Sequence, residues 1–212
     1  MKSYGKLTAG LLAAWFLFAL VGSAMGLFNN AVGGIGVAVG VAAFVPLLGF
    51  LLWFGTSRGF RQFVLSLNPR ALTLTHVFRL IGFTFVLLEA KNLLPAVFAL
   101  PAGYGDMAIG ATATLVAWKL ADPEHRGSFI FWQLLGMADL VTAVSLGTTA
   151  QLLSPHGATT ALMTVLPLSL IPTFFVPLFL MFHVISIVQA RRWQAEPKRA
   201  RPVAYSAANA SV

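Results

Sequence analysis

The 212 residues include no cysteine. That excludes disulfides, thiolate metal sites, thiol nucleophiles and the C-x-x-C-H attachment of haem. Charge is almost as scarce. Asp, Glu, Lys and Arg together make up 9% of the chain, where a soluble domain carries about a quarter. Soluble-enzyme signatures are missing as well: no H-E-x-x-H, no P-loop, no G-x-S-x-G and no EF-hand loop. Neither a nucleophile with its base nor a metal cluster shows as a spacing pattern. What remains is apolar. Hydrophobic residues are 58% of the chain, a surface that lipid accepts and water does not. The class is therefore an all-α polytopic membrane protein.

A spanning helix needs about 20 apolar residues, and six such stretches can be placed. They run from Leu7 to Phe28, Gly34 to Phe54, Ala71 to Ala90, Tyr104 to Leu120, Ser128 to Ala150 and Ala161 to Ala190. The first follows Lys2 and Lys6 and is long for a signal-peptide core, so it reads as an uncleaved span. The net charge of +8 would suggest nucleic acid in a soluble protein. Here the basic residues cap apolar runs, which points to anionic lipid headgroups and to no nucleic-acid partner.

With the N-terminus inside, Lys2, Lys6, Arg58, Arg61, Arg70, Lys119, Arg126, Arg191, Arg192, Lys198, Arg199 and Arg201 all fall on the cytoplasmic side. Only Lys91 falls outside, and Arg79 lies within a span. The positive-inside rule then puts both termini in the cytoplasm. The expected organisation is one six-helix bundle over residues 1–192 and a basic, disordered tail over 193–212. The loop between spans 2 and 3 holds Arg58, Phe60, Arg61, Phe63, Val64 and Leu67. It reads either as a short helix in the headgroup plane or as an irregular basic loop. Gly22-x-x-x-Gly26 and Gly36-x-x-x-Gly40 predict close packing of spans 1 and 2 as a hairpin around a turn at Asn29 and Asn30. Pro167, Pro172 and Pro177 predict a kinked, tilted last span.

Between spans 3 and 4 stands LPAVFALPAGYGD, Leu94 to Asp106. Two prolines and two glycines discourage a continuous helix, yet the stretch is apolar. It predicts a short re-entrant or crosswise segment covered by protein, with Asp106 in the first turn of span 4. Gly103 to Ala108 also matches G-x-G-x-x-A, but a membrane helix is the wrong setting for that nucleotide fingerprint. Leu94 to Gly110, with the upstream Arg79 to Phe83, "RLIGF", resembles a recurring pattern in small bacterial membrane proteins of no known activity. The resemblance implies an inner-membrane location and nothing about chemistry.

Ionisable groups inside a span are costly and are functional candidates. Counting about 1.5 Å per residue from the cytoplasmic ends places His76 about 9 Å in, His183 about 12 Å, Arg79 about 14 Å and Asp139 about 16 Å. Arg79 and Asp139 are level and can pair. So can His76 and His183, and His76 shares a helix face with Arg79. These four are expected to line one pocket for a small solute, an anion or a proton, with Arg79 as the anion contact and Asp139 as its counter-charge. The same pair could instead only fix helix register. His76 and His183 have a further reading as axial ligands of one haem b, or as two unrelated residues. Glu89, Lys91 and Asp106 are expected together at the outer mouth. His125 and His156 read as solvated turn residues. Another reading makes the chain a scaffold or partner subunit without a ligand of its own. Six helices are few for a transporter of two six-span halves, which leaves room for a homodimer.

Overall fold

A computed structural model describes residues 2–29, 36–153 and 158–193. Asn30, His156 and the tail beyond Trp193 lie outside the described residues. Among those described there are helices and turns and no strands, as hydrocarbon demands of a chain that must satisfy its own backbone. The helices are α1 (Lys2–Ala24), α2 (Val37–Thr56), α3 (Arg58–Leu65), α4 (Pro69–Leu74), α5 (Phe83–Ala90), α6 (Ala96–Lys119), α7 (Arg126–Leu153) and α8 (Val176–Arg192). A 3₁₀ stretch, Thr75–Gly82, joins α4 to α5 into one rod, and a π turn, Ile171–Phe175, leads into α8. Five units are long and apolar enough to cross a membrane: Tyr4–Ala24, Val37–Thr56, Pro69–Ala90, Arg126–Ala150 and Ile171–Arg192. The chain is a multi-pass membrane protein.

Helix α6 is long enough to join them but is diluted by Gly103, Gly105, Asp106 and Gly110. Its composition follows from its place. It is the central helix, packed on the 3₁₀ stretch, α5, α4 and α7, and it is lined by small buried residues including Ala99, Ala102, Ala113 and Ala117. The backbones meet closely. A β-carbon on Gly103 would stand 2.9 Å from the Gly82 carbonyl oxygen, and one on Gly110 would stand 2.8 Å from the Leu80 nitrogen. Small residues allow such an approach.

The LPAVFALPAG stretch is therefore no re-entrant segment. It is the start of α6, with Pro95 as the residue before the first turn and Pro101 inside the helix. Asp106 consequently stands about 15 Å along the helix. The last span is corrected too. Thr160–Thr164 is a separate 3₁₀ turn, and the crossing helix begins only at Ile171. The apolar run is thus broken into a short turn and a crossing helix.

The loop after α2 does form a helix. In α3, Ser57 accepts a hydrogen bond from the Phe60 nitrogen, Phe60 and Val64 are buried, and Arg58 is exposed. The Phe60 ring stacks on Trp53 at 3.8 Å. Tyr4 of α1 stacks on Phe63, and Gln189 of α8 donates to the carbonyls of Leu65 and Leu67. The start of α1 and the end of α8 thus share one end of the molecule, which also carries Arg58, Arg61 and Arg70.

Expected close packing of α1 on α2 through glycines is not what forms. Gly26 sits in a turn at φ +75°, and nothing lies within 4 Å of a β-carbon at Gly40. Leu27 and Phe28 fold over Gly22 instead. A gap of about 440 Å³ opens between α1 and α2, bordered by Trp15, Phe18, Ala38 and Val41. Helix α1 is tied elsewhere: Trp15 Nε1 donates to the Thr173 carbonyl, and Ser23 meets Ser169 at 2.7 Å. Trp193, expected in the tail, packs its ring on Phe129 at 5.2 Å and belongs to the bundle.

Candidate functional site

The 3₁₀ stretch gives the site its geometry. At three residues per turn, side chains three apart eclipse one another. Thr73, His76, Arg79, Gly82 and Phe85 are buried at that interval, facing α6, α7 and α8. Arg79 is 1% exposed, and His76 and His183 are fully buried. A guanidinium there needs partners on every side.

It has them. Arg79 Nε donates to Asp106 Oδ1 at 2.6 Å, and Nη2 donates to Asp139 Oδ2. Nη1 donates to the Gly136 carbonyl at 3.2 Å and meets His183 Nε2 at 3.3 Å. One side chain of the third span thereby holds α6, α7 and α8 together. Gly136 and Gly105 make the approach possible. A β-carbon at Gly136 would stand 2.5 Å from His183 Cε1. A β-carbon at Gly105 would overlap Asp139.

A polar chain behind His183 fixes its tautomer. Thr73 Oγ1 donates to the Pro69 carbonyl at 2.8 Å, so its oxygen accepts from Gln133 Nε2 at 3.4 Å. The Gln133 oxygen is then left to accept from His183 Nδ1, 2.5 Å away. With its proton on Nδ1, His183 offers the Nε2 lone pair to Arg79. The imidazole is neutral and fully engaged. His76 lies face on face with it, centroids 4.1 Å apart at 21°, between Phe179 and the edge of Trp132. Neither His76 ring nitrogen has a hydrogen-bond partner among the described residues.

Two expectations are corrected by this arrangement. Axial ligands of a haem must each aim a nitrogen at one iron from opposite sides of the macrocycle. Here the rings stack directly, with no space for a porphyrin between them, and both nitrogens of His183 are committed. The histidine pair does not fit haem b. Nor is Arg79 an open anion contact. Two carboxylates already face its single positive charge, so with both ionised the cluster would hold one unit of negative charge in excess and repel an anion.

The expected outer-mouth group is divided. Asp106 belongs to the Arg79 cluster. Glu89 is half-buried near the end of α5 and Lys91 is exposed in the turn that follows, and neither forms an ion pair among the described residues. His125 is exposed and bound to Asp122, 2.9 Å away. Residues that sequence reasoning passed over are Thr73, Gln133 and the carbonyl of Gly136. The signal was there for two of them: Thr73 continues the three-residue spacing of His76 and Arg79, and Gln133 is an uncharged polar side chain deep in an apolar span.

The matched family is defined over most of this bundle. The chain belongs to the family described as a domain of unknown function, DUF8737. Its family model matches residues 34–191. The DUF8737 region thus takes in α2 through α8 and every member of the Arg79 cluster, and leaves α1 outside. No curated protein and no solved structure matches the chain.

Proposed function

We propose that this DUF8737 protein crosses a bacterial inner membrane six times, with both termini in the cytoplasm, and that its Arg79 cluster takes up and releases a proton as a small solute moves or binds. The threading is supported by the basic residues of α3, α4, α6, α7 and α8, which cap helices at the ends the positive-inside rule would call cytoplasmic. The sixth crossing is α6, whose 24 residues reach about 36 Å.

One observation carries the proton reading. Asp106 and Asp139 both bind Arg79 in the bundle interior, and hydrocarbon surroundings magnify every unbalanced charge. A proton on one carboxylate balances the cluster, and its departure leaves the cluster charged and more strongly tied to Arg79. Asp139 reaches the edge of the bundle, its side chain 17% exposed.

The saturation of Arg79 favours a second reading, in which the network only fixes helix register. Infrared difference spectroscopy of purified protein separates the two. The proton reading expects the carbonyl stretch of a protonated carboxyl to appear and vanish between acid and mildly alkaline pH, and to be lost in Asp106→Asn/Asp139→Asn. A wild-type spectrum with no titrating buried carboxyl would leave only the structural role.

A further inference from the structure

Asp106 has a second face that the Arg79 contact does not use. Its Oδ1 is bound by Arg79, while Oδ2 accepts no hydrogen bond among the described residues. The residue is 8% exposed, and what it meets on the open side is a cavity. About 70 Å³ of space lies between α2, α5, α6, α7 and the π turn, walled by Ala43, Phe44, Phe85, Phe98, Ala143 and Pro172. A second space of about 100 Å³ lies against Phe78, Ile81, Phe175 and Phe179. Asp106, Leu140, Ile171 and Val176 border both, so the carboxylate stands where the two meet.

The chemistry of these walls is selective. Each space has the volume of several water molecules, but apolar cavities stay dry. The first has one charged side chain, Asp106, with only Thr148 adding a further side-chain hydrogen-bonding group. Phe44, Phe85 and Phe98 line the first space and Phe78, Phe175 and Phe179 the second, and aromatic faces attract cations. The charged and titratable groups around Asp106 are Arg79 from the third span, Asp139 from α7 and, through Arg79, His183 from α8. Helix α2 contributes only Val39, Gly40, Ala43 and Phe44 to the wall, none of them charged. With Arg79 outnumbered, the local charge is negative once the cluster's proton has left. An anion is repelled, a strongly hydrated metal ion finds too few oxygens, and a neutral apolar molecule leaves the charge unbalanced.

We propose that the cavity beside Asp106 binds a small lipophilic ammonium ion, which takes the place of the cluster's proton. This rests on the proton reading above. Binding exchanges one positive charge for another: the ammonium sits against Asp106, its apolar body fills the space walled by Phe44, Phe85 and Phe98, and one proton leaves the carboxylate pair to solvent. The ligand enters from the lipid side, past α2, which forms the outer wall and has few buried side chains.

Three probes of one shape test this on the purified full-length protein: benzylammonium, benzyl alcohol and benzoate. Calorimetry is expected to show binding of benzylammonium alone, weaker at low pH, with release of a proton seen as a buffer-dependent heat. Asp106→Asn should weaken it by about thirtyfold or more. Ala143→Phe, which fills the space and leaves the acids intact, should abolish binding while the infrared carboxyl titration persists. Equal binding of benzyl alcohol, or unchanged binding by Asp106→Asn, would show a merely apolar cavity and overturn the proposal. Absence of benzylammonium binding beside a normal carboxyl titration overturns the ligand class and spares the proton site. Absence of both removes the two together.

Discussion

Helix α2 and the crossing unit Ile171–Arg192 are almost equally hydrophobic, with mean hydropathies of 2.4 and 2.2, yet over an 18-residue stretch 6% of the first is buried inside the protein and 56% of the second. Hydropathy reports only that lipid accepts a helix. What draws a helix inward is its polar side chains. In α8, His183, Ser186 and Gln189 recur at intervals of three, and all are buried. Within α2 no titratable side chain occurs, and just Val39 and Ala42 are buried. The bundle therefore has a polar-stitched core of α4 to α8 and a looser outer pair, α1 and α2, that presents Leu7, Leu17, Phe44 and Leu52 outward.

The sharpest way to break that contrast is to remove the stitch. Arg79→Leu leaves two carboxylates inside hydrocarbon without a counter-charge. Deleting one partner of a buried pair costs about 3–5 kcal/mol, and here one deletion strands two acids. The monodisperse peak of the detergent-purified protein is expected to disappear. Neutralising both acids in the Arg79→Leu background with Asp106→Asn and Asp139→Asn should bring it back. In α2, Leu52→Ala changes a side chain that is 67% exposed and should alter stability by less than about 0.5 kcal/mol. Equal damage from the two would mean that α2 is as firmly held as the core.

This contrast also explains what the sequence alone disclosed. Apolar length located the five units long and apolar enough to cross a membrane, and depth counting brought Arg79 level with Asp139, which the structure shows in contact. Depth counting misplaced Asp106, because Pro95, Pro101, Gly103 and Gly105 read as a turn. Their effect is overridden by packing: Gly103 and Gly110 fit closely on the 3₁₀ stretch, Ala99 and Ala102 are buried in one apolar cluster with Phe85 of α5, and the helix runs through Pro101. A start at Ala96 instead of Tyr104 would have set Asp106 beside Arg79. The G-x-x-x-G pairs misled for the opposite reason. Two glycines permit close approach, but nothing on α1 and α2 demands it.

Glycines also supply a prediction of intermediate size. Gly136→Ala forces a methyl group against His183 and within 3.3 Å of Arg79 Nη1. Overpacking of this kind costs about 1–3 kcal/mol, so the thermal midpoint followed by tryptophan fluorescence should fall clearly. Gly49→Ala, in α2, meets no atom within 4 Å. It should leave the midpoint unchanged or raise it, since alanine favours a helix by up to about 1 kcal/mol over glycine. A fall at Gly49 matching that at Gly136 would show that helix strain, rather than the crowded cluster, sets the cost.

The smallest effect belongs outside the bundle, where charge is cheap. In the turn before α7, Asp122 Oδ1 accepts a hydrogen bond from the His125 amide at 2.9 Å and contacts the His125 ring. Slight burial pushes the Asp122 carboxyl up, but the hydrogen bonds and charge of His125 outweigh it and hold the carboxyl below its usual range. A carboxylate with a depressed pKa stabilises the fold above its unfolded value, and the benefit disappears as pH falls through the folded one. The turn should therefore be protected at neutral pH and open in acid. Hydrogen exchange at the His125 amide is the measurement. It should quicken as the solution is acidified, beyond the intrinsic pH dependence, and be fast at every pH in Asp122→Ala. Global stability should change by less than about 1 kcal/mol, as for exposed pairs generally. An Asp122→Ala loss as large as that of Gly136→Ala would place the turn among the elements that hold the core, and the division between stitched interior and tolerant periphery would have to be redrawn.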